Sequence, residues 1–429
     1  MSLFGALDTA VSGLSAQSTA FGNISDNVAN SQTVGYKQVN TNFADYLTQS
    51  TPTSNTPGSV EASASYDNSL QGTVTATNDA LNLAISGNGF FAVGTATGTS
   101  AAGDPTFSTA QSYTRAGDFT QNAEGYLVNS EGDYLDGWTV DPVSGKPTTN
   151  SLAAIQVSTA ANPPTETSSI NLSATLPASP TSSSSLANNV NVYDDQGNQQ
   201  ELTLSYAQSA TTANTWTMTV SQNGTAIGTA DLSFAADGTL SGIGNATGGI
   251  VLPATVSGTG SAASLSFTPA GGNFTAPITL NLGAFGSAAG ITQYAGTNLQ
   301  LNSLTQNGAA SGTYSGTSIN SSGQVIASYS NGATAIMAQI PLANFADADG
   351  LQRQNSQNFS ATNDSGTANI VAENTAGTGS LVTSSVESSN VDLSSQLTQL
   401  IVAQQAYSAN AKSVTTFNQV SQATIAMLQ

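Results

Sequence analysis

A chain of 429 residues has material for about three domains, and with 25 acids against five bases it carries a net charge of −20. It therefore lacks the clustered Lys/Arg that nucleic acid or an anionic membrane surface requires, and at 7% charged residues it relies on Ser, Thr, Asn and Gln for solubility. Cys and His are both absent, which removes disulfides, thiolate chemistry, the commonest zinc sites and every nucleophile that depends on a histidine base.

Residues 1–30 predict one helix, ending near Asn30–Ser31 before Gly35. Leu7, Leu14, Phe21 and Val28 recur at intervals of seven, with Ala10, Gln17 and Ile24 between them, as in a coiled-coil seam. Gly5, Gly13 and Gly22 each cost about 1 kcal/mol relative to Ala, so the helix is marginal alone and must draw stability from packing. The start, MSLFGALDTAVSGLSAQ, has no basic n-region and does not read as a Sec-type signal, so export would use another route. Thr48–Ser65, with Pro52 and Pro57, predicts an extended linker.

Asp79–Val93 (DALNLAISGNGFFAV) alternates at Leu81, Leu83 and Ile85, breaks at Gly87-Asn88-Gly89 and resumes at Phe90 and Phe91, predicting a hairpin with an Asn-Gly turn. Strand and turn signals continue from Tyr113 to Trp138. Ser151–Ser185 holds Pro163-Pro164, Pro177, Pro180 and a run of serines, predicting a boundary or long loop. Val190–Tyr206 predicts a hairpin turning at Asp195–Asn198.

Residues 393–428 predict a second helix of about 54 Å, opened by a capping-box pattern at Ser389-x-x-Asp392. Leu393, Leu400, Tyr407, Val414 and Leu428 keep the seven-residue interval, interleaved with Leu397, Gln404, Ala411 and Ile425. Only Asp8 and Asp26 in the first helix, and Asp392 and Lys412 at the second, carry charge. A coiled coil alone in water has charged e and g positions, so these helices are expected to be surrounded by other helices. Matched seams at both ends of a β-rich chain predict joining of copies of itself. Packing of both helices on their own domain is the other reading.

The chemistry of the remaining residues is sparse. Asp194-Asp195 and Asp347/Asp349 sit beside Gly and read as turns. A calcium loop at Asp347-Ala348-Asp349-Gly350 fails at its first and last ligands, which are Phe345 and Ser356. GNGFFAVG is not a dinucleotide fingerprint, and no phosphate-binding loop motif occurs. No catalytic, cofactor-binding or metal residue is assigned, and no enzyme or cofactor is expected.

Several long segments resemble, in order, those of the flagellar hook proteins within the rod/hook axial family. NISDNVANSQTVGYKQVNTNF is similar to that family's amino-terminal signature around Asn30, Thr33, Gly35, Tyr36 and Lys37. DALNLAISGNGFFAV and YTRAGDFTQNAEGYLVNSEGDYLDGW resemble its inner β-domain, and VNVYDDQGNQQELTLSY resembles a strand pair of its body. INSSGQVIASYSNGATAIMAQIPLANFADADGLQRQNSQNF is similar to its return leg, and VESSNVDLSSQLTQLIVAQQAYSANAKSVTTFNQV to its carboxy-terminal helix. Gln405 stands where the family more often has Arg, and Ala348-Asp349 replaces its usual Asn-Pro.

The resemblance implies a mixed, mainly β fold. Antiparallel terminal α-helices would form a coiled-coil inner domain (1–33 and 389–429), followed by a linker region (34–78 and 357–388). Nested β-rich domains would follow, an inner one at 79–148 and 285–356 and an outer one at 149–284. It implies assembly through Leu7, Leu14, Phe21, Ile24, Val28, Leu393, Leu397, Leu400, Tyr407, Val414, Ile425 and Leu428. The implied function is that of a structural subunit of the bacterial flagellar hook, a curved extracellular tube that transmits torque from rod to filament as a universal joint. The implied partners are the chain itself, the distal rod, hook cap, hook-length control and hook–filament junction proteins, and the type III export apparatus, with neither nucleic acid nor membrane. A distal rod or other axial protein, or a secreted β-rich adhesin, are the alternatives. The distal rod protein is much shorter, and an adhesin stalk normally occupies one end only.

Overall fold

Small side chains set the packing of the first helix. In the computed structural model, which describes residues 3–51, 54–100, 104–141, 145–180, 186–254 and 256–427, α1 spans Leu3–Ala29 and buries Ala10, Ala16, Ala20 and Ile24. The chain then forms a two-stranded antiparallel hairpin, β1 (Val39–Thr51) and β2 (Ser54–Tyr66), running from Val39 opposite Tyr66 to Thr51 opposite Ser54. Strands therefore occupy the stretch expected as a linker. Pro57 falls at a register irregularity opposite Leu47, where a missing N–H costs the ladder least. The hairpin lies on α1: Ser12 Oγ accepts from the Val60 N–H at 3.1 Å, and Asn23 donates to Thr41 Oγ1 at 2.8 Å.

The second helix, α2 (Leu393–Met427), is capped by Asp392 rather than by Ser389. The Asp392 carboxylate accepts from the N–H groups of Ser394 and Ser395, the standard N-cap arrangement.

The chain forms two compact units, one of Met1–Thr159, Gly316–Ala327 and Ala335–Gln429, the other of Ala160–Ser315 and Ser328–Thr334. In the first, strand Phe90–Gly94 is buried along its whole length, pairing with Ser112–Thr114 on one side and Tyr134–Val140 on the other. Phe90 packs edge-to-face on Phe345 and Phe359, while Phe91 meets Phe119 on the opposite face. The expected hairpin across Gly87-Asn88-Gly89 does not form. Leu83–Ser86 pairs instead with Ser380–Thr383 of the returning leg, in a separate ladder. Gly87 and Gly89, at φ 106° and 128°, carry the chain from one sheet to the other. A local turn signal cannot say whether the strands on either side of it pair with each other.

Asp136 lies in this unit at 7% exposure, accepting from Gln111 Nε2 at 2.7 Å. Burial pushes its carboxyl up to about 6, with the Gln111 hydrogen bond opposing. The folded state then holds a proton that the unfolded chain has released. The resulting stabilisation is complete below about pH 4 and lost as pH rises through about 6. We expect Asp136→Asn to raise stability at pH 7.5 by about 3 kcal/mol and to change little at pH 4. Thermal unfolding at both pH values checks this, and equal effects at both would refute it.

The second unit is a pair of sheets around one apolar cluster. A five-stranded meander runs in sequence order through Leu186–Tyr193, Gln199–Gln208, Thr215–Gln222, Thr225–Phe234 and Leu240–Gly248. Its first turn is the hairpin expected at Asp195–Asn198, closed by Asp194, whose carboxylate accepts from the N–H groups of Gln196 and Asn198. Alternate residues point inward, as in Leu202, Leu204 and Tyr206 or Trp216, Met218 and Val220. The facing sheet contains Ser169–Pro177, within the stretch expected as boundary or loop, and contributes Ile170, Leu172, Leu265, Phe267 and Leu280.

Candidate assembly site at the chain termini

The two ends of the chain meet in one helix pair. Asn27 Nδ2 donates to Gln396 Oε1 at 3.1 Å, Phe21 stacks edge-to-face on Tyr407 with centroids 6.0 Å apart, and Gly13 lies against the Asn410 amide. The residue numbers rise on α1 as they fall on α2, so the helices are antiparallel. Gly13 has a geometric reason here, since a Cβ would approach Asn410 Nδ2 to 2.9 Å.

The covered positions of α2 include Gln396, Leu400, Ala403, Ala406, Asn410, Val414, Phe417 and Ser421, spaced by threes and fours. The series containing Leu400 and Val414 was legible as apolar. The companion series, Gln396, Ala403, Asn410 and Phe417, lies one residue before the expected Leu397, Gln404 and Ala411, although Ala411 is itself half-buried; its members include Gln396 and Asn410, which a hydrophobic period does not register. Leu393, Leu397, Tyr407 and Ile425 are exposed at 46%, 46%, 42% and 56%. On α1, Ile24 is buried, and Leu7, Leu14, Phe21 and Val28 are half-buried. Leu428 lies outside the described residues.

Asn27, which periodicity had not marked, is the hub between helix pair and hairpin. It is 1% exposed. Its Nδ2 also donates to the Val39 carbonyl, and its Oδ1 accepts from Val39 N–H and the Tyr36 hydroxyl. Its side-chain amide thus satisfies both backbone groups of Val39, as a neighbouring strand would.

The signature residues fold into a tight bend after α1. Asn30 donates to the Asp26 carbonyl and accepts from Thr33 Oγ1. Gly35, at φ 70°, donates its N–H to the Glu387 carbonyl. The Tyr36 ring lies 4.3 Å beneath the Arg353 guanidinium, and Arg353 also donates to the Lys37 carbonyl.

Lys37 ends this bend inside the protein. Its Nζ lies 2.6 Å from Glu387 Oε1 and donates to the Leu70 carbonyl, and Arg115 Nη1 lies 3.0 Å from Glu387 Oε2. All three side chains are 1–2% exposed. Gly72 N–H adds a further hydrogen bond to Glu387, and Arg115 donates to the Gly87 carbonyl. Burial holds the Lys37 and Arg115 pKa values below their ordinary range, with Glu387 acting the other way. Two cations on one carboxylate join the outgoing leg, the returning leg and the β-body. Arg115 and Glu387 carried no sequence signal for this role, since residues 350 and 272 positions away meet Lys37 and Arg115 respectively only in the fold.

The turn at Asp347–Leu351 is likewise structural: Asp349 accepts from the N–H and hydroxyl of Ser69. Among the described residues no group of three His, Cys, Asp or Glu is placed to hold a metal, and no helix is long and apolar enough to cross a membrane.

Returning ends, a helix pair and a buried node thus tie both termini of the chain to a β-body. Residues 7–37 match the family described as Flagella basal body rod protein, and 382–427 the Flagellar basal body rod FlgEFG protein C-terminal. Residues 84–175 match the Flagellar hook protein FlgE/F/G D1 domain, and 170–309 the Flagellar basal body protein FlaE D2 domain. The flagellar hook protein FlgE of Brucella abortus is 32% identical over 96% of each chain, and that of Escherichia coli K12 31% identical over 97% of this chain and 98% of its own. A crystal structure of the Helicobacter pylori hook protein FlgE2 shares the fold, with TM-score 0.50 at 13% identity over 72% of this chain and 98% of that one. The chain belongs to the flagellar hook protein FlgE family, whose members are structural subunits and not enzymes.

Proposed function

We propose that the chain polymerises into the curved hollow tube of the flagellar hook, joining rod to filament and transmitting torque while bending. The observation that carries this is the apolar surface of α2, with Leu393, Leu397, Ile401 and Val402 all exposed in the single chain. A contiguous exposed apolar surface of this kind marks an interaction site, and other copies of the chain would cover it. In the tube, α1 and α2 would pack as coiled coils around a central channel, lined largely by Ser, Thr, Gln and Asn. The node of Lys37, Glu387 and Arg115 would carry load between this inner wall and the β-body.

By analogy with the family, the further partners would be rod, hook cap, length-control and junction proteins, and the type III apparatus that would export the chain to the cell exterior. The test is electron microscopy of the full chain, concentrated at moderate salt, beside a chain lacking residues 1–33 and 389–429. Tubes with a central channel are expected from the full chain only, and their curvature separates a hook from a rod. Discrete particles from both samples would overturn the reading.

A further inference from the structure

The two flanks of α2 differ in shape, and the difference specifies how neighbouring copies meet. At about 100° per residue, the positions facing α1 form one line along the helix. About 90° to one side lie Thr398, Val402 and Ala406, which with Ala20, Ile24 and Phe43 line an open groove of about 550 Å³ between α1, β1 and α2. To the other side lie Leu393, Leu397 and Ile401, an aliphatic ridge at i, i+4 and i+8 with exposures of 46%, 46% and 55%. Val402 and Phe43 in the groove are also open, at 60% and 49%.

We infer that the Leu393–Leu397–Ile401 ridge of one subunit seats in the groove of the next. The inference rests on the polymeric reading above and adds the pairing to it. Ridge and groove occupy opposite flanks of one straight helix, so a chain cannot fill its own groove with its own ridge. The only charged residues at α2 are Asp392 and Lys412, and neither lines the groove, so burying these surfaces together strands no ion. A contact between two different faces of the same molecule is heterologous, and repeating it yields a ring or an open helical array rather than a closed dimer. A family that builds axial polymers needs a contact of that kind, and a second copy is the occupant always at hand.

The absence of Cys from the chain makes the pairing directly testable. Tubes would be grown from a mixture of full-length Leu397→Cys and Val402→Cys variants and then oxidised. A disulfide forms only when the two Cα atoms come within about 4.4–6.8 Å. We expect disulfide-linked dimers to be several-fold more abundant in the mixed tubes than in tubes of either variant alone. Mixed tubes with no more dimer than the single-variant tubes would overturn the pairing and leave the polymeric reading standing. Failure of the unmodified chain to form any tube would overturn both. Should the Cys variants not assemble, Leu397→Ala and Val402→Ala provide the second reading. Each is expected to raise the critical concentration for assembly several-fold with the monomer's circular dichroism unchanged, and an unchanged critical concentration would overturn the pairing.

Discussion

Replacing Glu387 with Ala is expected to lower the unfolding free energy of the unit that contains it by about 3–5 kcal/mol, the cost of leaving buried charge uncompensated. Two cations, Lys37 and Arg115, would lose their shared carboxylate at a site where all three side chains are 1–2% exposed. Lys37→Met should cost less, about 1–2 kcal/mol, because Arg115 and Glu387 remain as a balanced pair. Urea unfolding read by Trp138 fluorescence in a Trp216→Phe background isolates this unit, since the chain has only these two tryptophans and Trp216 lies in the other unit. A Glu387→Ala effect no larger than that of Lys37→Met would refute the account of the node.

The pH dependence of that variant supplies an independent reading. In the intact protein, burial already lowers the Lys37 pKa and Glu387 partly restores it. Without Glu387 the folded-state pKa falls further below the value of ~10.4 in the unfolded chain. Between those two values the unfolded chain binds more protons, so stability climbs with pH. Glu387→Ala should therefore regain part of its loss in mildly alkaline solution, over a range where a neutral cavity would show no such recovery.

Gly35→Ala is the second large effect, at about 3–4 kcal/mol. The left-handed conformation at φ 70° accounts for about 1–2 kcal/mol of this. The remainder comes from overlap, because a Cβ would fall 2.4 Å from Ala116 N and 2.6 Å from Arg115 C, both backbone atoms that move only with their strand. Displacing Arg115 would also loosen its contact with Glu387, so the Gly35 and Glu387 substitutions should be non-additive. Gly132→Ala is the matched control. Its φ is 89°, but nothing lies within 4 Å of an added Cβ, so only the conformational cost applies. Equal losses for the two glycine variants, measured by the same urea unfolding, would show that the close approach at Gly35 contributes nothing.

Much of the architecture was legible in the sequence. Helices at both ends, strands between them and the hairpin before Gln199–Gln208 all follow from periods and turn residues, which act over a few neighbouring positions. The signature at Asn30–Lys37 was legible by resemblance, though not what its residues touch. Failures cluster where a distant segment decides. Leu83–Ser86 looked bound to Phe90–Gly94 across an Asn-Gly turn, yet the returning strand Ser380–Thr383 takes it. The linker with two prolines is a hairpin because α1 offers it a surface to lie on.

The helix seams divide in the same way. Heptad spacing by itself determined that both termini are helical and that each carries a repeating face, because side chains three and four apart share a side of any helix. It could not determine which face turns inward. Gln396 and Asn410 face α1 because Asn27 and Gly13 provide a hydrogen-bond partner and room for them. Leu393 and Leu397, the stronger apolar signal, are left outward. Composition determined that no histidine or cysteine chemistry is possible. Only the tertiary structure brought Lys37, Arg115 and Glu387 together, since burying two cations on one carboxylate depends on three chain segments arriving at the same few ångströms of space.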